Sequence, residues 1–463
     1  MVSSRIARVI AGAVLLASID GLPDGDRTPP SEPEVTSPSG ACSRHTAADS
    51  TDAAGPPISD AAQLDRELRE EQLRAAQQLY REFPRSDAAF VMGSVCHEQG
   101  DTEAAIRYWE EEIRLEADAV QLQDRAEAYS NLGEALKEKG EYDKAEAMLR
   151  ESLRLNAHRE ETQFRLAHLF YLQGRMEECL GLLDGEKVVS CQGYGLRGQA
   201  CQRLGKLDDA RRNYEAAIRL NPSFAAAYYG LALTCARLGD QAGAAQYQQK
   251  FAALKTEHQV MGRRLRTEFN PLTTTRQSLA QTHTQVGWVY LTRGRPEMAE
   301  RLWRRAAEVD PAHTACRFQL VMLYQKAGRN QEALQFCREM VRAEPTNGFH
   351  YLGLGNLHAR LNQYAEAEAA YRKATELAPE RVEGCFALAQ FYVQANTNLT
   401  EAVRLSQRAV SLAPVAPHYY VLSRACAKNG ARAAARAAIE RACELDPQNP
   451  QYRTLRVSLE SSK

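Results

Sequence analysis

The residue groupings in this chain that could do chemistry are few, and each lacks a part its chemistry needs. Gly353-Leu-Gly355-Asn-Leu-His358 begins like a dinucleotide-binding loop, where glycines let the backbone approach a pyrophosphate. The third glycine is missing, and the segment sits inside a helical pattern. Gly205-Lys206 is followed by Leu207, where a phosphate-binding loop needs a Ser or Thr hydroxyl for the metal. His158 and Glu160 have the His-x-Glu spacing of a zinc deaminase, yet no Pro-Cys-x-x-Cys completes the ligand set. No His-Glu-x-x-His, Gly-x-Ser-x-Gly or Cys-x-x-Cys occurs, and the 10 histidines are scattered. Asn398-Leu-Thr400 is a glycosylation sequon, which has meaning only in a eukaryotic secretory pathway. The chain is therefore read as non-catalytic, with no metal and no cofactor.

The totals point the same way. With 58 basic and 59 acidic residues the 463-residue chain carries a formal charge of −1, so nothing draws it to nucleic acid or to an anionic membrane. Aromatics are 7%, and Ala-Leu-Glu-Arg segments dominate over Val-Ile-Thr runs, which suits helices. No membrane span is expected in the mature chain, because the body holds no sufficiently long apolar stretch. The 11 cysteines include Cys96, Cys201, Cys235 and Cys426, which recur at one packed helical position. That recurrence reads as reduced core filling, whereas a disulfide framework would sit in loops.

The start of the chain has its own character. Arg5 and Arg8 precede an apolar stretch from Val9 to Ile19, closed by Pro23. Residues 1–22 therefore read as a signal-like segment that directs export to a periplasm or beyond, with a cytoplasmic protein as the alternative. Residues 23–60 carry Pro29, Pro30, Pro33, Pro38, Pro56 and Pro57 among Ser, Thr, Asp and Gly. Such a segment buries too little apolar surface to offset its ordering entropy, and it is expected to be a disordered linker.

Beyond residue 61 the chain repeats. Gly294, Gly328 and Gly430 mark one phase with Asn362 in the same slot, spaced by 34 residues or a multiple of it. Ala299, Ala333, Ala367 and Ala435 follow at a fixed offset, and so do Pro311, Pro345, Pro379 and Pro447. Each unit holds two apolar stripes of helical period divided by a short turn. Small residues let the helices approach closely, bulky ones fill the gaps, and proline stops the second helix. One such hairpin cannot bury both of its faces, so neighbours must stack.

In the clearest unit Gly287, Tyr290, Ala299, Trp303, Ala306 and Pro311 stand in the order small, aromatic, Ala, aromatic, Ala, Pro. This pattern resembles the tetratricopeptide repeat (TPR) family, and about ten such units cover residues 61–449. The resemblance implies an all-α, right-handed superhelical solenoid of antiparallel helix pairs. An N-terminal arm is expected over 61–258 (a capping helix and five repeats) and a C-terminal arm of five repeats over 280–449. A capping helix is expected over 450–463. Between the arms the rhythm breaks at 259–279, where a change of direction is expected. Arg263, Arg264 and Arg266 fall there with Lys255 upstream, read as a solvated helix extension in preference to an anion site.

The family's functional surface is the concave face lined by the first helix of each pair. Chaperone-binding members use a carboxylate clamp there. Asn131 and Arg165 fill two of its slots, but Phe90, Ser94 and Glu161 stand where Lys or Asn is wanted. In the C-terminal arm the groove positions hold Gln285, Trp288, Phe318, Gln319, Met322, Phe349, Asn356, Phe386, Gln390, Tyr420 and Arg424. Aromatic and Met side chains offer apolar contact area, and amides can bond an extended backbone. The expected function is a protein-interaction scaffold for a protein or peptide that is neutral or mildly acidic and brings apolar anchors. The alternative is a substrate-recruiting subunit of an enzyme or secretion assembly whose catalysis lies on another chain.

Overall fold

A computed structural model describes residues 58–84, 86–115, 122–183, 190–268 and 272–461. The signal-like segment and nearly all of the linker lie outside the described residues, as do the side chains of Arg263, Arg264 and Arg266. Twenty-two helices and no strand occur among the described residues. In chain order they are α1 (Ile58–Glu82), α2 (Ser86–Glu98), α3 (Thr102–Arg114), α4 (Leu122–Glu138), α5 (Tyr142–Leu155), α6 (Glu160–Leu172) and α7 (Met176–Leu182). Next come α8 (Cys191–Arg203), α9 (Leu207–Leu220), α10 (Ala225–Arg237), α11 (Gln241–Glu268), α12 (Leu272–Thr292), α13 (Pro296–Val309), α14 (Thr314–Lys326) and α15 (Asn330–Ala343). The chain ends with α16 (Gly348–Arg360), α17 (Tyr364–Leu377), α18 (Val382–Ala395), α19 (Leu399–Leu412), α20 (Ala416–Lys428), α21 (Arg432–Leu445) and α22 (Pro450–Ser461). None of these is long and apolar enough to cross a membrane.

The period sets where the helices turn. Gly294, Gly328 and Gly430 have φ of 72°, 73° and 80°, and Asn362 takes the same left-handed conformation at 59°. Asn tolerates this region better than other L residues, which is why it can stand in for glycine. The lengthened turn before α19 uses two more, Asn396 and Asn398, at 54° and 46°. Asp101, Ser190 and Asn347 each cap a helix by accepting a backbone N–H, from Ala104, Gly193 and Phe349.

Inside each pair a large side chain of the second helix lies on a small residue of the first. A Cβ on Gly93 would sit 2.5 Å from Trp109, and one on Gly355 would sit 2.7 Å from Tyr371. The side chains gathered there are fully enclosed: Trp109, Trp303, Tyr214, Tyr371 and Tyr392 dominate, with Ala105, Ala210, Ala299, Ala333 and Ala367 around them. Each buried aromatic contributes roughly 2–3 kcal/mol of apolar burial.

The chain divides into two compact units, an N-terminal one over 56–302 and a C-terminal one over 303–463. The division falls inside α13. In the N-terminal unit α1 to α11 stack in sequence, and in the C-terminal unit α14 to α22 do the same. First helices of successive pairs also touch one another, α4 to α6 to α8 to α10 in one unit and α16 to α18 to α20 in the other.

At the period break of 259–279 the backbone of Arg263, Arg264 and Arg266 lies in an extension of the preceding helix. α11 runs without interruption to Glu268, α12 begins at Leu272, and the whole stretch belongs to the N-terminal unit. α12 packs on α1 and α2, the first two helices of that unit. The helix expected to be a lone cap is thus paired with a partner from the far end of the unit. Gln72 of α1 donates to Thr282, Ser278 and Glu98, Asp87 of α2 pairs with Arg293 at 3.0 Å, and the Phe83 and Tyr290 rings meet edge to face at 5.7 Å.

Candidate binding surface

The eleven groove residues all stand on first helices of their pairs, and α16, α18 and α20 touch one another in succession. Gln285 and Trp288 are on α12, in the N-terminal unit. The other nine are in the C-terminal unit: Phe318, Gln319 and Met322 on α14, Phe349 and Asn356 on α16, Phe386 and Gln390 on α18, Tyr420 and Arg424 on α20. Ten of the eleven are half-buried. Gln319 is the exception, at 6% exposure.

Several of these side chains are already engaged. The Arg381 guanidinium lies 4.3 Å from the Phe349 ring centre, and the Phe386 ring lies 4.7 Å from His418. Asn356 Oδ1 accepts from the Tyr371 hydroxyl at 2.7 Å. Tyr420 meets Tyr452 at 5.0 Å, and the Arg424 guanidinium lies 5.8 Å from the Tyr420 ring centre. Burial lowers the His418 pKa below its ordinary value, and its Nδ1–H donates to the Ala413 carbonyl at 2.6 Å. Phe349, Asn356, Phe386 and Tyr420 thus join neighbouring elements as well as facing outward. Phe318 and Met322, one turn apart on α14, are half-buried, and among the described residues no ring contact engages Phe318.

The same two positions in α10 hold Tyr229 and Leu233, exposed at 52% and 42%. Leu172, near the end of α6, is exposed at 47%. Reading the period through the first five repeats, and not only the last five, finds them.

The clamp slots are consumed from within. Arg165 donates to Asn131 Oδ1 and Ser130 Oγ, each at 3.0 Å, and to Glu161 at 2.7 Å. A guanidinium so occupied has little left for a ligand carboxylate. The dinucleotide-like glycines lie within α16, where Gly355 is covered by Tyr371, and His358 is buried with Nδ1–H donating to Gln363. Among the described residues no three of His, Cys, Asp and Glu gather in a way that could hold a metal. The ten described cysteines are free thiols, nine of them buried, and burial pushes Cys179, Cys316 and Cys337 up to about 12.

This repeated hairpin geometry agrees with sequence comparison. Family models described as tetratricopeptide repeat match residues 84–157, 196–257, 286–348, 351–381 and 394–450. The chain belongs to the tetratricopeptide-repeat family. Among individual proteins, it is 34% identical over 124 residues to protein O-mannosyl-transferase Tmtc1 of Drosophila melanogaster. That alignment takes in 25% of this chain and only 14% of the length of the fly protein. Similar solved structures include YrrB, described as a TPR protein with an unusual peptide-binding site (19% identity, 39% of this chain and 91% of that one, TM-score 0.34). MamA from Desulfovibrio magneticus RS-1 (23% identity, 40% and 96%, TM-score 0.33) and yeast Tom70 (15% identity, 81% and 95%, TM-score 0.34) are also similar.

Proposed function

We propose that the chain is a non-catalytic scaffold that holds a protein or peptide partner on the first-helix face of its C-terminal unit. The observation that carries this reading is the recurrence of half-buried Phe318, Phe386 and Tyr420 at one position of three first helices, each followed by Met322, Gln390 or Arg424 one turn later. Such a row offers apolar anchors beside polar groups that can bond an extended backbone. The partner is neutral or mildly acidic. The test is cross-linking of the full chain in its native host, with photoreactive groups at Phe318 and Tyr420 compared against groups on the outer helix α17. Partner capture confined to the first-helix positions is expected, and equal capture from α17 counts against the assignment.

A second reading, a substrate-recruiting subunit whose catalysis lies on another chain, draws support from the partial likeness to a mannosyl-transferase. Stable co-purification with such an enzyme separates it from the first. We also propose that the N-terminal segment directs export. Cell fractionation that finds only unprocessed chain in the cytoplasm overturns that part.

A further inference from the structure

We propose that the N-terminal unit holds a small-molecule site between α1 and α3, and that its ligand is a free α-amino acid with an apolar side chain. The site is separate from the partner-binding face and does not depend on it.

α1 and α3 both pack on α2, and a cavity of about 530 Å³ opens between them. That volume lies within the range of ligand sites, roughly 300–1,000 Å³. Phe90 and Ser94, which hold the groove slots of α2, are not among its walls. Apolar groups make much of the wall: Leu73 of α1, Met92 and Cys96 of α2, and Ala104 and Tyr108 of α3. Met92, Cys96 and Ala104 are buried, and Tyr80 meets the Tyr108 ring edge to face at 5.4 Å. This part of the wall is therefore held in place.

The polar part carries three charges, Asp101 at the cap of α3 and Arg107 and Glu111 along it. Each carboxylate is fixed through one oxygen. Asp101 Oδ1 accepts the Ala104 N–H at 2.9 Å, and Glu111 Oε1 accepts the Tyr80 hydroxyl at 2.5 Å. Gln99 is anchored as well, its Nε2 donating to the Arg69 carbonyl at 3.0 Å, which leaves its side-chain oxygen as an acceptor. Among the described residues no hydrogen bond or ion pair engages the Arg107 guanidinium. The charges are felt at the apolar wall. Burial pushes the Cys96 thiol up, the Asp101 carboxylate adds to the rise, and the Arg107 guanidinium opposes it.

These charges select the ligand. A carboxylic acid without an amine would meet Arg107 but be repelled by Asp101 and Glu111. An amine without a carboxylate would be attracted by those two and repelled by Arg107. Arg107 and Glu111 stand one helical turn apart, about 6 Å along the axis. A zwitterion satisfies both, with its carboxylate on Arg107 and its ammonium on Glu111 and the Gln99 oxygen. The side chain then lies against Leu73 and Met92, where an apolar one is favoured over a polar one.

The experiment is calorimetric titration of the full chain with L-leucine and L-phenylalanine. We expect saturable binding of at least one of them. For leucine, 3-methylbutylamine (no carboxylate) and 4-methylpentanoate (no ammonium) should each bind roughly tenfold more weakly or worse. Arg107→Gln and Glu111→Gln should each weaken the amino acid to a similar degree, and circular dichroism confirms that both variants are folded. Phe318→Ala should leave the titration unchanged, so failure of the partner-binding face and failure of this site are read separately. The proposal is overturned if neither amino acid binds at millimolar concentration, if either analogue binds as well as leucine, or if the folded variants keep full affinity.

Discussion

Gln72 of α1 and Thr282 of α12 stand 210 residues apart in the chain and 3.0 Å apart in the structure. Gln72 is 2% exposed and donates also to Ser278 and Glu98, so a polar seam closes α12 onto the first two helices of the N-terminal unit. Asp65 with Thr275, and Glu71 with His283, extend the seam along the same two helices.

Gln72→Leu should therefore loosen α12 in particular. The substitution keeps the volume but leaves the buried Thr282 hydroxyl short of a partner, a cost of about 1–3 kcal/mol. Hydrogen exchange read by mass spectrometry should show faster exchange in 272–292 and little change in 416–445. Uniform acceleration along the chain would mean that the seam is not a local clasp.

A second expectation concerns close packing between first and second helices. Tyr214 of α9 lies against Gly198 of α8 and Gly230 of α10, and a Cβ on Gly230 would sit 2.3 Å from its ring. The ring is 1% exposed and has no room to retreat. Gly230→Ala should cost about 1–3 kcal/mol of overpacking, although Ala is the better helix former. Urea denaturation followed by circular dichroism checks this, and a stabilised variant would contradict the packing.

Arg317 is 4% exposed, with Nε on Glu339 at 3.0 Å, Nη1 on the His313 carbonyl and Nη2 on the Ala307 carbonyl, each at 3.0 Å. It ties α14 to the end of α13 and to α15. Arg317→Met should destabilise the C-terminal unit by about 1–3 kcal/mol, because acceptors are left unpaired. Arg317→Lys should recover little, since an ammonium cannot span three acceptors in one plane. The two variants are compared by thermal melting.

Alkaline pH should weaken the fold. Burial raises Cys179, Cys316 and Cys337 from an ordinary value of 9.0 to about 12. The unfolded chain releases these protons first as pH climbs, so it binds fewer protons than the folded chain between those limits. The stability they confer is complete below pH 9 and is lost as pH rises toward 12. Buried Tyr214 and Tyr371, also raised by desolvation, add to the same trend at still higher pH. Denaturation midpoints at pH 8 and above pH 10 test the sign, and slow alkylation of native thiols at pH 8 tests the cause.

Much of this fold was legible because a period of 34 residues repeats the same packing problem. Gly294, Gly328, Asn362 and Gly430 are turn residues whose backbone needs left-handed φ, so their types betray their places. The seam between α1 and α12 left no such trace. It depends on Gln72, Thr275, Ser278 and Thr282, ordinary polar residues whose meeting is set by long-range topology. The positions expected to face a groove came from the family resemblance, and the burial of their side chains could not be read from it. Whether a half-buried ring is free depends on a neighbour such as Arg381 over Phe349 or His418 beside Phe386, and those neighbours lie in other repeats.

That distinction gives the last prediction. Phe318 and Phe386 occupy the same repeat position, yet Phe386 packs on His418 and on the core around Leu388 and Tyr392, while among the described residues Phe318 meets no other ring. Phe386→Ala should lower the melting temperature, because truncation leaves a gap between α18 and α20. Phe318→Ala should leave melting nearly unchanged and cost roughly 1–3 kcal/mol of partner binding, as expected of an anchor. Combining it with Met322→Ala, one turn away on α14, should deepen the binding loss further. Calorimetric titration of the cross-linked partner, set beside the melting curves, separates the two effects. If Phe318→Ala melts early and binds normally, its ring belongs to the core and the binding surface lies elsewhere on the first helices.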